Sequence, residues 1–255
     1  ITLAIKKIIN GPLPFHIVAV MKNIGNIDAI RRIDQRVQVV QAEEVMARII
    51  VQATRQPGLG SLYEELFSFN GNEIYFLPEH GASGQPFGQI VMDYDEASII
   101  GIRPEDQSIE LNPPQDYIIK KTDVLIAIAL DDDEIIRSTQ PIPPPLPAPL
   151  EKSSGEEPER VAIIGWHPCG RIIMEELGEL LPEGSSAVIL HDPTVGIDPS
   201  PDLAGELRFK YELREGDTTS RSALKSLDLK RFNHIIVLNH TSDLSKESAD
   251  NHSLL

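Results

Sequence analysis

Residues 159–181, ERVAIIGWHPCGRIIMEELGELL, carry the pattern that decides the fold. Val161 to Ile164 form a short continuous apolar run, which reads as a buried strand. Gly165 and Gly170 bracket a tight turn after it. Ile172, Ile173, Glu176, Leu177 and Leu180 then recur at helical spacing, which predicts an amphipathic helix. A strand, a glycine turn and a helix N-terminus place backbone N–H groups where an anion can meet them.

The residues that follow continue the rhythm. AVILHD (187–192), LRFKYEL, the helical SALKSLDL and HIIVLNH (234–240) predict the front half of a parallel α/β sheet. The N-terminal side offers the complementary piece. ITLAIKKII reads as a helix stopped by Asn10-Gly11-Pro12. Phe15–Met21 is apolar throughout and reads as a strand buried on both faces. Asn26 or Asp28 can cap a helix DAIRRI, and Val37–Val40 is a further short strand. Residues 43–54 then place Val45, Met46, Ile49, Ile50 and Ala53 on one helical face. This is the back half of such a sheet, since no opening glycine turn precedes it.

Between the halves the pattern changes. Arg55-Gln56-Pro57-Gly58 breaks the first half, and LGSLYEELF predicts a short helix that docks on something else. NEIYFL, SIIGIR, SIELN and VLIAIAL are strands in series, with one helix-like piece, FGQIVMDY. They predict a small α+β lobe with a mostly antiparallel sheet. Residues 138–158, with PIPPPLPAP and EKSSGEEPE, read as a spacer, semi-rigid and then flexible. Its PxxP spacings also fit an SH3-type ligand.

Composition narrows the function. The 255 residues suffice for two cores, and the net charge of −16 excludes a phosphate-tracking nucleic-acid surface. The single cysteine, Cys169, excludes an internal disulfide and a Cys-based zinc site, and fits a reducing, cytoplasmic setting. No run approaches the roughly 18 apolar residues of a membrane span. The chain opens at Ile1 on mid-domain helix, which suggests a piece of a longer protein.

Two stretches are candidate sites. In Gly165-Trp-His-Pro-Cys-Gly170, His167 stands where a dinucleotide fingerprint has its second glycine. Arg171 stands where a P-loop has lysine. Asp192 closes the second strand, where a ribose-binding carboxylate would sit, and Gly216-Asp217 closes the third. Gly165, Gly170, Asp192 and Asp217 are thus either a retained nucleotide site or a structural Rossmann-like turn. Asp131, Asp132, Asp133 and Glu134 follow a strand and offer the hard oxygens Ca²⁺ prefers; otherwise they are a solvated acidic end. Asp93, Asp95 and Glu96 form a second acidic group. The histidines show no metal spacing. The nearest approach to a nucleophilic dyad, His167 with Cys169, has no orienting third group in sequence. There is no convincing catalytic set, so no enzyme is expected.

HIVAVMKNIGN, EEVMARIIVQATRQPGLGSLYEELFSFNGNEIYF, GQPFGQIVMDYDEASIIGIR, DYIIKKTDVLIAIALDDDE, ERVAIIGW, EGDTTS and HIIVL together resemble the RCK/TrkA-like (KTN) regulatory region of the CASTOR/POLLUX ion channel family. The likeness covers most of residues 15–240. One departure is Thr122-Asp123, where the family commonly has Gly-Asp. The resemblance implies an α/β fold in which two Rossmann-like parallel sheets flank an α+β RCK C-terminal-type lobe. One sheet is the back half of a first unit, the other the front half of a second. The segments would be 1–57 (first Rossmann-like unit), 58–71 (crossover helix and connection), 72–137 (lobe), 138–158 (linker) and 159–255 (second Rossmann-like unit). It implies a ligand-sensing gating-ring domain on the cytoplasmic side of a membrane. Such domains self-associate as dimers or a tetrameric ring and couple to the parent's pore domain. Ca²⁺ is the first ligand to test and NAD or another nucleotide the second. A peripheral TrkA-like nucleotide-binding subunit of a K⁺ transporter is the alternative. An NAD-dependent oxidoreductase would need an intact glycine fingerprint and a proton-relay residue, and neither is seen.

Overall fold

The computed structural model describes residues 15–21, 37–68, 71–78, 81–138, 157–194, 197–201, 203, 207 and 209–239. The helices expected at ITLAIKKII and DAIRRI, and most of the Pro-rich spacer, lie outside the described residues. The chain divides into two compact units. One comprises the described residues within Ile1–Pro57 and Ser153–Leu255, the other those within Gly58–Lys152.

In the first unit the apolar runs read from sequence become β7 (Arg160–Ile164), β8 (Ser186–His191), β9 (Lys210–Glu215) and β10 (His234–Val237). All pair in parallel, in the spatial order β10-β7-β8-β9. The first three strands of the half therefore run outward from β7, and the fourth returns to its other side. This is the reversal that marks the topological switch point of a Rossmann half. Helix α4 (Gly170–Leu180) follows β7, and the short α5 (Arg221–Ser226) follows β9.

Two strands of the N-terminal segment, β1 (Ile17–Val20) and β2 (Val37–Val40), also pair in parallel. The expectation that Phe15–Met21 is buried on both faces fails: Val18 and Val20 are 61% and 70% exposed. Among the described residues β2 is the only strand that pairs with β1. Helix α1 (Ala42–Arg55) joins the two ends of the chain, for it packs on α4 and β10. Ala47 and Val51 of α1 share one core with Val161, Ile163, Trp166, Ile173, Leu177, Ile189 and Ile236. The helix lies where the periodicity put it, yet its inward face is centred on Ala47 and Val51, with Ile50 of the expected face packed against the same core. Val45 and Met46 are exposed, whereas Ala47 is fully buried. A small side chain lets packed elements approach closely, and Ala47 is fully buried in the core that α1 shares with α4 and the sheet. Full burial of a side chain such as Ile163 or Leu177 contributes about 1.5–3 kcal/mol to holding these layers together.

The second unit starts with α2 (Leu59–Leu66), whose entry residue Gly58 has φ +92°. The strands in series become β3 (Glu73–Leu77), β4 (Ser98–Arg103), β5 (Glu110–Leu111) and β6 (Val124–Ala129). They form an antiparallel sheet of order β3-β6-β4-β5, with the one-turn helix α3 (Phe87–Ile90) between β3 and β4. Alternation sorts the residues as expected. Tyr75, Leu77, Ile99, Leu125, Ala127 and Ala129 pack inward with Phe87, Ile90 and Ile119. Ile74 and Phe76 point to the outer face. Asp123, nearly inaccessible, ties the turn before β6. Its Oδ2 accepts from the Tyr117 hydroxyl at 2.9 Å and the Lys120 amide at 2.9 Å. Desolvation, and behind it the bond to Asp123, pushes the Tyr117 phenol up to about 12.

Candidate functional site

The glycine turn sits at the carboxyl end of β7, at the switch point, where open α/β sheets bind ligands. Its geometry is inward-facing. Gly165 has φ +87°, and a Cβ there would lie 2.1 Å from the Leu238 carbonyl oxygen. The glycine is needed for close passage against the end of β10. Its amide donates to the Leu190 carbonyl at 2.8 Å, and the Leu238 amide donates to Ile164 at 2.8 Å, so both are spent on sheet ends. A Cβ on Gly170 would lie 2.6 Å from the Trp166 indole, which is 1% exposed. The Gly170 amide donates to the His167 carbonyl at 2.7 Å.

His167 is 6% exposed, and its Nδ1 accepts from the Cys169 amide at 3.2 Å. That bond places the ring proton of a neutral imidazole on Nε2. The Cys169 sulfur lies 3.0 Å from the same nitrogen. Burial pushes the Cys169 thiol up to about 11, the opposite of what a nucleophile needs.

The two strand-end carboxylates are alike. Asp192 Oδ1 accepts from the Thr194 amide at 2.8 Å and hydroxyl at 2.6 Å. Asp217 Oδ1 accepts from the Thr219 amide at 2.8 Å and hydroxyl at 2.6 Å. Asp106 with Ser108, and Asp198 with Ser200, make the same loop-closing turn. The Ser108 hydroxyl and amide hold the Asp106 carboxyl below the usual range; for Asp198 the Ser200 amide leads. The recurring Asp-x-Ser/Thr spacing was the available signal for this role, and it went unread in sequence.

The acidic turn is open. Asp131 precedes a 3₁₀ turn, Asp132–Glu134, and accepts from the Asp132 amide at 2.7 Å. Asp131, Asp132 and Asp133 are exposed, and their ligand oxygens lie within 4.8 Å of one another. Glu134 does not join that group. With Asp133 it lines a separate hollow of about 750 Å³ together with Asp95 and Glu96. The fold thus brings together two acidic groups that sequence left apart. Asp93 of the second group is paired with the Arg137 guanidinium, which lines the same hollow and also reaches the Gly81 carbonyl and Gln85 Oε1.

A third cluster had no sequence signal. Glu159 enters β7, and its Oε2 meets His234 Nε2 at 2.8 Å. Its Oε1 meets the Arg55 guanidinium at 3.4 Å, and Arg55 also donates to the Leu180 carbonyl at 2.9 Å. Residues 104 apart in sequence are tied at the base of the sheet.

An open parallel half-sheet with a switch-point turn, together with an antiparallel lobe after a short helix, defines the RCK class of fold. The human SLO3 gating ring shares it, with a TM-score of 0.68 over 99% of this chain and 55% of that one, at 15% identity. Residues 43–143 match the protein-family model described as "Castor and Pollux, part of voltage-gated ion channel". The chain is 28% identical to a probable ion channel CASTOR of Oryza sativa subsp. japonica, over 94% of this chain and 28% of that relative. It is 27% identical to the ion channel CASTOR of Lotus japonicus, over 94% and 29%. The resemblance drawn from residues 15–240 is therefore to the RCK-type regulatory region of CASTOR/POLLUX ion channels, and it runs along nearly the whole chain. The chain spans less than a third of the length of these relatives. Among the described residues no helix is long and apolar enough to cross a membrane.

Proposed function

We propose that the chain is a cytoplasmic gating-ring domain of a cation channel, which couples ligand binding to the opening of a pore carried elsewhere in its parent. The observation that carries this reading is the likeness to CASTOR along 94% of the chain. The lobe supports it with surface suited to assembly. Helix α2 buries none of its residues; Leu62 and the following Phe67 are 50% and 66% exposed. An eight-residue helix is not stable by propensity alone, so its apolar side fits a partner. Ile74 and Phe76 extend apolar surface on the outer face of the sheet, where Arg103 covers the Phe76 ring from 4.6 Å. A second copy of the chain is the partner in this reading, and dimers build the ring.

Such a ring works only where a ligand binds its two states with different affinity. Ca²⁺ is the proposed ligand, held by Asp131, Asp132 and Asp133, with Glu134 beside them. Light scattering on the purified chain tests the assembly. We expect a dimer that Leu62→Glu with Phe67→Glu converts to monomer. A wild-type monomer at every concentration would sink the assembly proposal. Calorimetry with Ca²⁺ tests the ligand, and absence of heat leaves the acidic turn a solvated loop end.

A further inference from the structure

We propose that the Gly165–Gly170 turn is filled from within by Trp166, so that this Rossmann half takes no dinucleotide. Gly165, Gly170, Asp192 and Asp217 then hold the end of the sheet together. The proposal stands whether or not the chain assembles as a ring.

The fold class implies a dinucleotide at this place, because the pyrophosphate of NAD lies against the turn after the first strand of such a sheet. Three things are needed there: backbone without a Cβ at the second glycine, amide N–H groups turned outward, and a helix that approaches the strand closely. The turn departs from each of the three. His167 takes the second glycine's place and is buried, with Nδ1 on the Cys169 amide. The amides of Gly165, Cys169 and Gly170 donate to Leu190, His167 and His167 in turn. The space that Gly170 leaves by lacking a Cβ is taken by the indole of Trp166, within the core that α1, α4 and the sheet share. In a cofactor-binding fold of this kind the glycine at this third position lets the helix pack closely on the strand; here the missing Cβ makes room for a side chain of the chain itself. At the strand ends, one carboxylate oxygen each of Asp192 and Asp217 is committed to a threonine two residues on.

Trp166 is the only tryptophan in the chain, so its fluorescence reports on this one place. NAD and ATP are titrated into the full chain to about 1 mM, a concentration at which even weak specific sites begin to fill, with heat and fluorescence followed together. We expect neither saturable heat nor a fluorescence change, and acrylamide quenching near the level of a fully buried indole. Saturable binding, or quenching like that of a free indole, overturns the proposal. His167→Gly restores the missing glycine and leaves Trp166 in place. We expect it to remain without nucleotide binding. Binding gained by His167→Gly alone would mean that His167, not Trp166, closes the turn.

Discussion

The glycine turn and the acidic turn were the two stretches whose residue types suggested ligands, and the structure sets them at opposite physical extremes. Around Gly165 and Gly170 polar groups are buried and answered: the Gly165, Cys169 and Gly170 amides and the His167 Nδ1 each have a partner inside the protein. Around Asp131–Asp133 like charges crowd together in solvent, with one described bond among them, from the Asp132 amide. The crowding is felt nearby. Desolvation and Glu73, then Asp131, Asp132 and Asp133, hold the Tyr75 phenol above its ordinary value. A site that has satisfied itself contributes stability and has little left for a ligand. A site that repels itself contributes nothing to stability alone and gains most from a cation. Chemistry suggested by sequence therefore sorts by what the fold has already paired.

The contrast predicts a ranking of effects on stability. Trp166→Ala empties the centre of the shared core and is expected to cost about 3–5 kcal/mol, read from urea unfolding. A cost below about 1 kcal/mol would mean that the indole is not the filling of the turn. Gly170→Ala comes next. Its methyl would press on the indole, and overpacking of this kind costs about 1–3 kcal/mol. A neutral Gly170→Ala would show that the ring can move aside, which would reopen the case for a ligand at this turn.

Much of this architecture was legible because it is local. Strand alternation in EIYFL and the continuous run RVAII need no tertiary knowledge, and both became strands where they were read. What was not legible was the far side of each contact. The period of residues 43–54 fits several faces, since Val45, Met46, Ile49 and Ile50 are all apolar. Only the approach of α4 selects Ala47 and Val51. The two glycines were found, but that Gly165 faces Leu238 is fixed by strand order, which no spacing encodes, and that Gly170 faces Trp166 four residues before it is fixed by the path of the turn. The Arg55–Glu159–His234 cluster is a pairing at a separation of 104 and 75 residues, and charge patterning on a single helix is blind to it.

The third effect is one of pH. The Cys169 thiol is raised from its ordinary 9.0 to about 11 by burial, so the folded chain keeps its proton where the unfolded chain loses it. The sign follows: this contribution is complete below the unfolded value and disappears as pH rises through the folded one. Stability should fall between about pH 9 and 11, with a slope of up to about 1.4 kcal/mol per pH unit from this group. Cys169→Ala removes the titrating group. Its unfolding free energy, compared with wild type by urea titration at pH 8 and pH 11, should show the shallower decline. Equal slopes would mean that the thiol is exposed enough to titrate normally, which contradicts a closed turn.

The smallest effect belongs to the acidic turn, and it separates the two readings of Asp131–Asp133 most cleanly. Without added metal, Asp131→Asn with Asp132→Asn and Asp133→Asn should change stability by no more than about 0.5 kcal/mol, because exposed side chains away from packing contribute little. Any change should be a gain, since three like charges at these distances repel. With Ca²⁺ in excess the order reverses. A ligand that binds only the folded chain stabilises it by an amount that grows with the logarithm of its concentration over Kd, about 2.7 kcal/mol at a hundredfold excess. Wild type should then melt higher and the triple variant should not respond. If neither melts higher, the repulsion at this turn is relieved by solvent and salt alone. The acidic turn is then, like the glycine turn, sequence that resembles a site without being one, but a solvated loop end where the other is packed core.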